Sequence, residues 1–558
     1  MSLNITKTRI WAIFSLSVLC SVFLVFLTQA QNSVEHKAVL AGESCAATES
    51  VQRTTNNHSL YKLQDEQGQD VFPTSVIRAK NDLYFLGPEC LWWCLGAHRE
   101  ANGQDCLILK QIDSPKQGQL AVSWQEANDF VYLPQRESIS IIDKSGDIFE
   151  YLISDPANKH WRIRRANSSK LGPPDPEYVA ACQMNDGILL LDPERNQIWF
   201  QTDKTSNLQA LLPGVLSWKL KSGDINITDA ISIAYHNGQT YVLKKHGAIN
   251  KYGIRYGVRQ NSSSGNQVYC VPQGSISFNH PNNFRPSRLY LNSDGMYVVE
   301  RENNRVLKIP TIAGNASVFI FCGDSDLRGL VKVGDGFWII DGNHILFRTQ
   351  SNEEALSTKA NKRSVDKRLT ALVLPIAGQS LPNHPGVFPG ARRLYRYGVH
   401  NGLDMFNQPG AKIRVITGTP VRATCGGEIT RIDLNYRDMN FATYNRVIRE
   451  CFEAHQTSAK NADLLRGCQV WTDSGNGLIS KYAHLSSANN KLRLGMNIKQ
   501  GDIVGYVGIS GTGENLPGHA RYPHLHFEIW LDGKYLGYGL TPAETMSLFE
   551  DIFVPGRK

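Results

Sequence analysis

Pro523-His524-Leu525-His526-Phe527-Glu528-Ile529-Trp530 is the stretch on which the reading of this 558-residue chain turns. Phe527, Ile529 and Trp530 favour extended backbone, and residues two apart in a strand face the same way. His524 and His526 are therefore expected to project two imidazoles side by side. Upstream, Gly477-Leu478-Ile479-Ser480-Lys481-Tyr482 is also strand-like and runs into Ala483-His484-Leu485-Ser486. That run is expected to bring a third imidazole, His484, on an adjacent strand of the same sheet. Further upstream, His400-Asn401-Gly402-Leu403-Asp404 offers another ring nitrogen and a carboxylate oxygen.

A hydrolytic zinc site uses three nitrogen or oxygen ligands and leaves a position for water. These three stretches supply such a set with two histidines to spare. In their order they resemble the lysostaphin/LytM-type zinc metallopeptidases, a family of peptidoglycan endopeptidases. His-x-x-x-Asp, a single His in Tyr-Ala-His-Leu, and His-x-His before Phe-Glu carry the likeness. Framework stretches support it: Gly418-Thr419-Pro420-Val421, Gly426-Gly427-Glu428-Ile429, Gln500-Gly501-Asp502-Ile503-Val504-Gly505 and Gly508-Ile509-Ser510-Gly511-Thr512-Gly513. The resemblance covers about Ala371 to Phe553. It implies an antiparallel β-sheet domain in which His400, Asp404 and His526 bind Zn²⁺, with His484 and His524 beside the activated water as catalytic residues. Glu528, further along the strand from His526, is expected behind that ligand and not as the general base. The implied activity is hydrolysis of peptide bonds in peptidoglycan stem peptides or cross-bridges. Two rival readings are a peptidase of glycine-rich protein, and a non-catalytic scaffold that binds wall or activates another hydrolase. Two stretches depart from the family pattern: a helical-looking insertion between Ile432 and Cys468, and a long loop from Glu514 to Tyr522 containing His519. Both bear on substrate choice, the insertion as a wall or lid of the groove.

Before this domain, short β-rich runs broken by Gly, Asn or Asp recur. Gly87, Asp143, Asp192, Lys244, Glu300 and Asp341 are equivalent breaks, about 41 to 56 residues apart, a spacing in the range of propeller blades. Residues 70–355 are accordingly expected to form a β-propeller of about six blades, with a large β-sandwich as the alternative fold. The propeller's ligand is unknown from sequence. Residues 31–69 read as a polar lead-in, 356–370 as a linker and 371–558 as the peptidase domain, so the fold class is mainly β.

Lys7 and Arg9 precede an apolar run from Ile10 to Leu27, followed by Thr28-Gln29-Ala30. This is the pattern of a signal peptide, and also nearly long enough for an N-terminal membrane anchor. Both readings export the rest, to the secreted, periplasmic or cell-envelope space. Beyond Cys20, ten cysteines remain, an even number that suits disulfides in an exported chain, with Cys451–Cys468 the expected local bridge. The chain has 59 Lys+Arg against 51 Asp+Glu, a formal +8 that favours anionic surfaces. These cations are scattered and no nucleic-acid motif accompanies them, so a nucleic-acid partner is not expected.

Overall fold

The computed structural model describes residues 59–554, except for internal stretches of which 95–105, 165–177, 214–225 and 350–364 are the longest. The expected leader (1–30), Cys45, Cys322, His519 and most of the expected linker lie outside the described residues. No helix among the described residues is long and apolar enough to cross a membrane.

Among the described residues the first part is a β-propeller of six blades, each built on four antiparallel strands, with Leu212–Pro213 added in parallel as a fifth strand of one blade. Their first strands are Ser75–Ala79, Ala127–Leu133, Ala180–Met184, Ala230–His236, Arg288–Asn292 and Leu327–Val333. Second strands such as Ser138–Asp143 and Gly187–Asp192 are buried along their whole length, because neighbouring blades cover both faces. This is why those runs read as almost unbroken apolar sequence. The breaks at Asp143, Asp192, Lys244, Glu300 and Asp341 each end the second strand of a blade.

The lead-in differs from expectation. Ser59–Asp65 is the fourth strand of the last blade, antiparallel to His344–Thr349, and it also runs parallel to Cys106–Ile112 of the first blade. Leu63 is fully buried there. The ring is thus closed by chain from its own N-terminal side, which removes the free edge that His344–Thr349 would otherwise present. The polar residues of this strand hid it from a hydrophobicity reading.

The second part is built on a sheet in the order Leu403–Met405, Leu525–Leu531, Leu478–Ala483, Val470–Asp473, Gly427–Ile432 and Asn497–Ile498. A smaller sheet of Pro420–Arg422, Ile503–Val507 and Leu485–Ala488 completes it. Three helices follow the sequence cues: α1 (Phe441–Ala454), capped by Asn440; α2 (Ala459–Arg466), capped by Ser458; and α3 (Pro542–Phe553), opened by a Thr541/Glu544 capping box. The end of the expected linker already belongs to this body, since Leu369 is buried in its core.

Cys451 and Cys468 are buried free thiols, a correction to the expected bridge. The Cys451 Sγ faces the Asn461 amide at 3.6 Å and the Cys468 Sγ faces the Asp433 carbonyl at 3.5 Å, so each has its own polar neighbour. The other described cysteines are free as well.

The two parts meet through polar contacts. Tyr397 donates to Asp147 at 3.0 Å, Tyr535 donates to Glu126, and Arg301 reaches both Asp326 and Glu544 of α3. Residues 539–544 sit where first strands of the ring begin, beside Thr74, Ala127, Asn128 and Arg288. At this seam burial, together with Asp551 and Glu544 nearby, raises the Glu302 carboxyl from 4.5 to about 7, against the pull of Ser547 and Arg285. A carboxyl raised in the folded state adds stability that is full below pH ~4.5 and lost as pH climbs through ~7. Glu302→Gln should therefore be more stable than wild type at pH 8, by on the order of 2 kcal/mol, and about equal at pH 4.5. Denaturant unfolding at the two pH values checks this, and an unchanged pH profile would count against it.

Candidate metal centre and active site

The strand Leu525–Leu531 alternates. Leu525, Phe527 and Ile529 enter the hydrophobic core, whereas His526 and Glu528 line a cavity of about 520 Å³ on the other side. Leu403–Met405 pairs with it so that Asp404 stands directly opposite His526. Opposed residues of antiparallel strands hold their Cβ atoms about 5 Å apart, which brings the two side chains into reach. His400 is anchored three residues before that strand by its amide bonded to the Ala391 carbonyl and its own carbonyl accepting from Gly390.

The result is a tight triangle. His400 Nε2, Asp404 Oδ1 and His526 Nδ1 lie 2.8–3.0 Å from one another, and all three residues are buried. The outer atoms determine the tautomers. His400 Nδ1 faces the Phe388 carbonyl at 3.1 Å and must carry the proton, and His526 Nε2 faces the Glu528 carboxylate at 2.8 Å and must do the same. With both rings neutral, that leaves two bare ring nitrogens and a carboxylate oxygen converging on one point. Burial lowers the pKa of His526, but Asp404 and Glu528, one on each side of the ring, outweigh it and raise the pKa. Three acceptors facing each other repel unless a cation joins them, so this donor set fits a divalent metal of the zinc type.

The surroundings keep the Asp404 carboxyl ionised, His400 neutral and the side chains oriented. Burial pushes Asp404 up, but His400, His526 and Arg393 outweigh it and hold the carboxyl well below its usual range. Arg393 donates to the other Asp404 oxygen at 2.7 Å. Burial, then Arg393, lowers His400 to about 3, which keeps it neutral and able to ligate. Glu528 is held ionised despite full burial by Arg466, His526 and Lys481, with Arg466 Nε at 2.6 Å and Trp530 Nε1 at 2.6 Å. Glu528 thus stands behind His526, where it orients the ring.

His484 and His524 stand beside the triangle. His484 lies just past the strand Leu478–Ala483, not within it, with a left-handed φ of 57°. That turn aims its ring between His524 and His526, with centroid separations of 5.0 and 5.3 Å. Its Nδ1 donates to the Ser510 carbonyl at 2.8 Å, which leaves Nε2 bare on the cavity side. Burial and the neighbouring histidines lower its pKa well below the ordinary value. His524 precedes the strand, bonds the Tyr522 carbonyl through Nδ1 at 2.8 Å, and stacks on Phe406 at 4.2 Å. The structure thus brings His400, Asp404, His484, His524 and His526 together at one cavity. The insertion supplies one wall of it through Tyr444 of α1 and Ala462, Leu465 and Arg466 of α2.

Arg393, Arg396 and Arg466 are site residues that sequence reasoning passed over. Two of them stand within ten residues of His400, in Arg392-Arg393-Leu394-Tyr395-Arg396, and that density of guanidinium beside a ligand motif was the available signal. Arg466 arrives from the insertion and had none.

Gly402 is required by close approach. A Cβ there would lie 2.9 Å from the His526 ring and 2.7 Å from the Phe527 carbonyl. Gly402→Ala should displace the His526 ring and weaken metal affinity about 10- to 100-fold, as loss of an orienting contact does. Metal titration monitored through Co²⁺ absorption tests this, and an unshifted curve would refute it.

The peptidase family M23 model matches residues 400–537. Compared with the curated proteins, the chain matches none. Among solved structures, a peptidase M23 from Pseudomonas aeruginosa, described there as putative, is 23% identical, with 32% of this chain and 52% of that one covered and a TM-score of 0.18. The catalytic domain of lysostaphin from Staphylococcus simulans is 22% identical over 26% of this chain and 74% of that one, TM-score 0.16. PorZ of Porphyromonas gingivalis, a surface component of a type-IX secretion system, is 12% identical over 65% of this chain and 45% of that one, TM-score 0.30. The chain spans about half the length of the first of these structures. Over residues 400–537, the segment that holds both the metal triangle and its two flanking histidines, the chain matches peptidase family M23.

Proposed function

We propose that this protein is an exported zinc metalloendopeptidase that hydrolyses peptide bonds in peptidoglycan stem peptides or cross-bridges. One observation carries the reading: two ring nitrogens and a carboxylate oxygen converge within hydrogen-bond distance of each other at the floor of a cavity. His400 Nε2, Asp404 Oδ1 and His526 Nδ1 would hold a zinc ion, which when bound polarises a scissile carbonyl and brings the pKa of water towards ~7.

The chain's own groups supply the rest. His484 Nε2 is bare and unprotonated at neutral pH, so it can take the proton of the attacking water as its oxygen adds to the carbonyl carbon. The same proton returns to the departing nitrogen as the C–N bond breaks, leaving a carboxylate and an amine. His524 is fixed by Phe406 and by Nδ1 donating to the Tyr522 carbonyl, and as the imidazolium it would donate from Nε2 to the developing oxyanion. No covalent link to the chain is needed. Export is supported by the N-terminal Lys7/Arg9 and apolar pattern, with the cleaved signal and the anchor both compatible. The propeller would position the enzyme on a partner, a role argued from its broad rigid faces by fold analogy alone.

His526→Ala should lose zinc and activity together. His484→Ala should keep its zinc and lose activity by about 10²- to 10⁴-fold. Zinc content by atomic absorption, and release of new amino groups from purified wall sacculi, give both readouts. A His484→Ala protein as fast as wild type would remove the proton role. Absence of amine release by the zinc-loaded wild type from every wall type tried would overturn the substrate.

A further inference from the structure

Three guanidinium groups converge on the cavity: Arg393, Arg396 and Arg466. Two are neutralised on the spot, Arg393 by Asp404 and Arg466 by Glu528. Arg396 is not. It is 8% exposed, and one amino group donates to the Val399 carbonyl at 2.9 Å. Tyr395 is the side chain that supports its charge, and no carboxylate among the described residues stands in ion-pair contact with it. A smaller crevice on its other side holds Glu89 and Glu126, but these are taken. Glu126 binds Lys144 at 2.8 Å and Tyr535, and Glu89 bonds Tyr538. Burial and the two neighbouring arginines disfavour the charge on Arg396, so the site holds it at a cost.

A buried cation without a counter-ion, facing a cavity, is an incomplete ion pair. A divalent metal at the triangle would add to the positive charge of the same cavity. The missing partner must be small, anionic and delivered with the substrate. Guanidinium pairs best with a planar carboxylate, through two parallel hydrogen bonds. The cavity of about 520 Å³ is large enough for a peptide residue or two beside the metal triangle.

We propose that Arg396 binds a free carboxylate of the substrate peptide next to the scissile bond, so that the enzyme selects peptides carrying that carboxylate over their amidated forms. This rests on the peptidase reading and deepens it. Arg396 lines the same cavity as His484 and His524, and its role there is to determine specificity, not to transfer a proton. Its guanidinium lies close against the main chain: it donates to the Val399 carbonyl, and a Cβ at Gly398 would lie 2.6 Å from it. A site built to pair with a charged group rejects the uncharged analogue strongly, because the buried partner is left alone.

The test uses the full-length, zinc-loaded protein and cross-linked muropeptide dimers identical except that the carboxylate beside the cross-link is free or carboxamide. Wild type should cut the acid with kcat/KM about 10- to 100-fold above the amide. Arg396→Gln should bring that ratio close to one, and Arg396→Lys should keep part of it. Binding of both dimers to the His484→Ala protein, measured by calorimetry, provides a readout without turnover, and the acid should bind at least ~10-fold tighter. Equal cleavage and equal binding of acid and amide by proteins with intact Arg396 would overturn the inference and leave the peptidase reading standing. Preferential binding of the acid with no cleavage of either dimer would overturn the peptidase reading and leave the carboxylate site standing. A ratio unchanged in a folded Arg396→Gln protein would also overturn it, and should that variant fail to fold, the wild-type comparison and Arg396→Lys decide.

Discussion

The pairing of Leu403–Met405 with Leu525–Leu531 is the constraint on which the rest of the site depends. One strand serves two purposes at once, with Phe527 packed on Tyr482 in the core and His526 and Glu528 turned into the cavity. A slip of one residue would exchange these faces, burying imidazole in the core and exposing phenyl to water. The core therefore holds the register, and the register places Asp404 across from His526. The convergence of the three candidate ligand atoms is thus a by-product of well-packed apolar side chains on the opposite face.

How much of this could be read in the sequence follows from range. His524-Leu525-His526 and His400 to Asp404 declare themselves because strand periodicity and short spacing are local properties. The propeller's second strands declare themselves too, since burial on both faces leaves runs such as Gly187-Ile188-Leu189-Leu190-Leu191. Ser59–Asp65 did not, because its place is set by a partner nearly three hundred residues away, and its sequence carries charge and amide groups. His484 was misjudged by one step. It was expected within a strand, but a left-handed turn carries it out of the sheet towards the other histidines. Arg466 is invisible for a similar reason, since only the tertiary fold shows that the end of α2 reaches Glu528.

Among the described residues, the propeller and the second part are fastened by buried polar contacts, and no hydrophobic core cluster spans both. Asp147, Glu126 and Arg301 each find a partner across the seam. Such contacts are directional, and breaking one leaves a charge stranded, so they specify one docking geometry even where they add little net stability. The mouth of the ring beside Thr541 and Glu544 is occupied by the chain itself.

The left-handed backbone at His484 narrows what evolution can do there. Most side chains with branched β-carbons strain at positive φ, while Gly, Asn and Asp accept it. Gly and Asn, which the main chain tolerates best, carry no group that takes up a proton near neutral pH, whereas imidazole does. Under the proton-carrying role proposed for it, position 484 is filtered twice, by the backbone geometry of the turn and by reactivity.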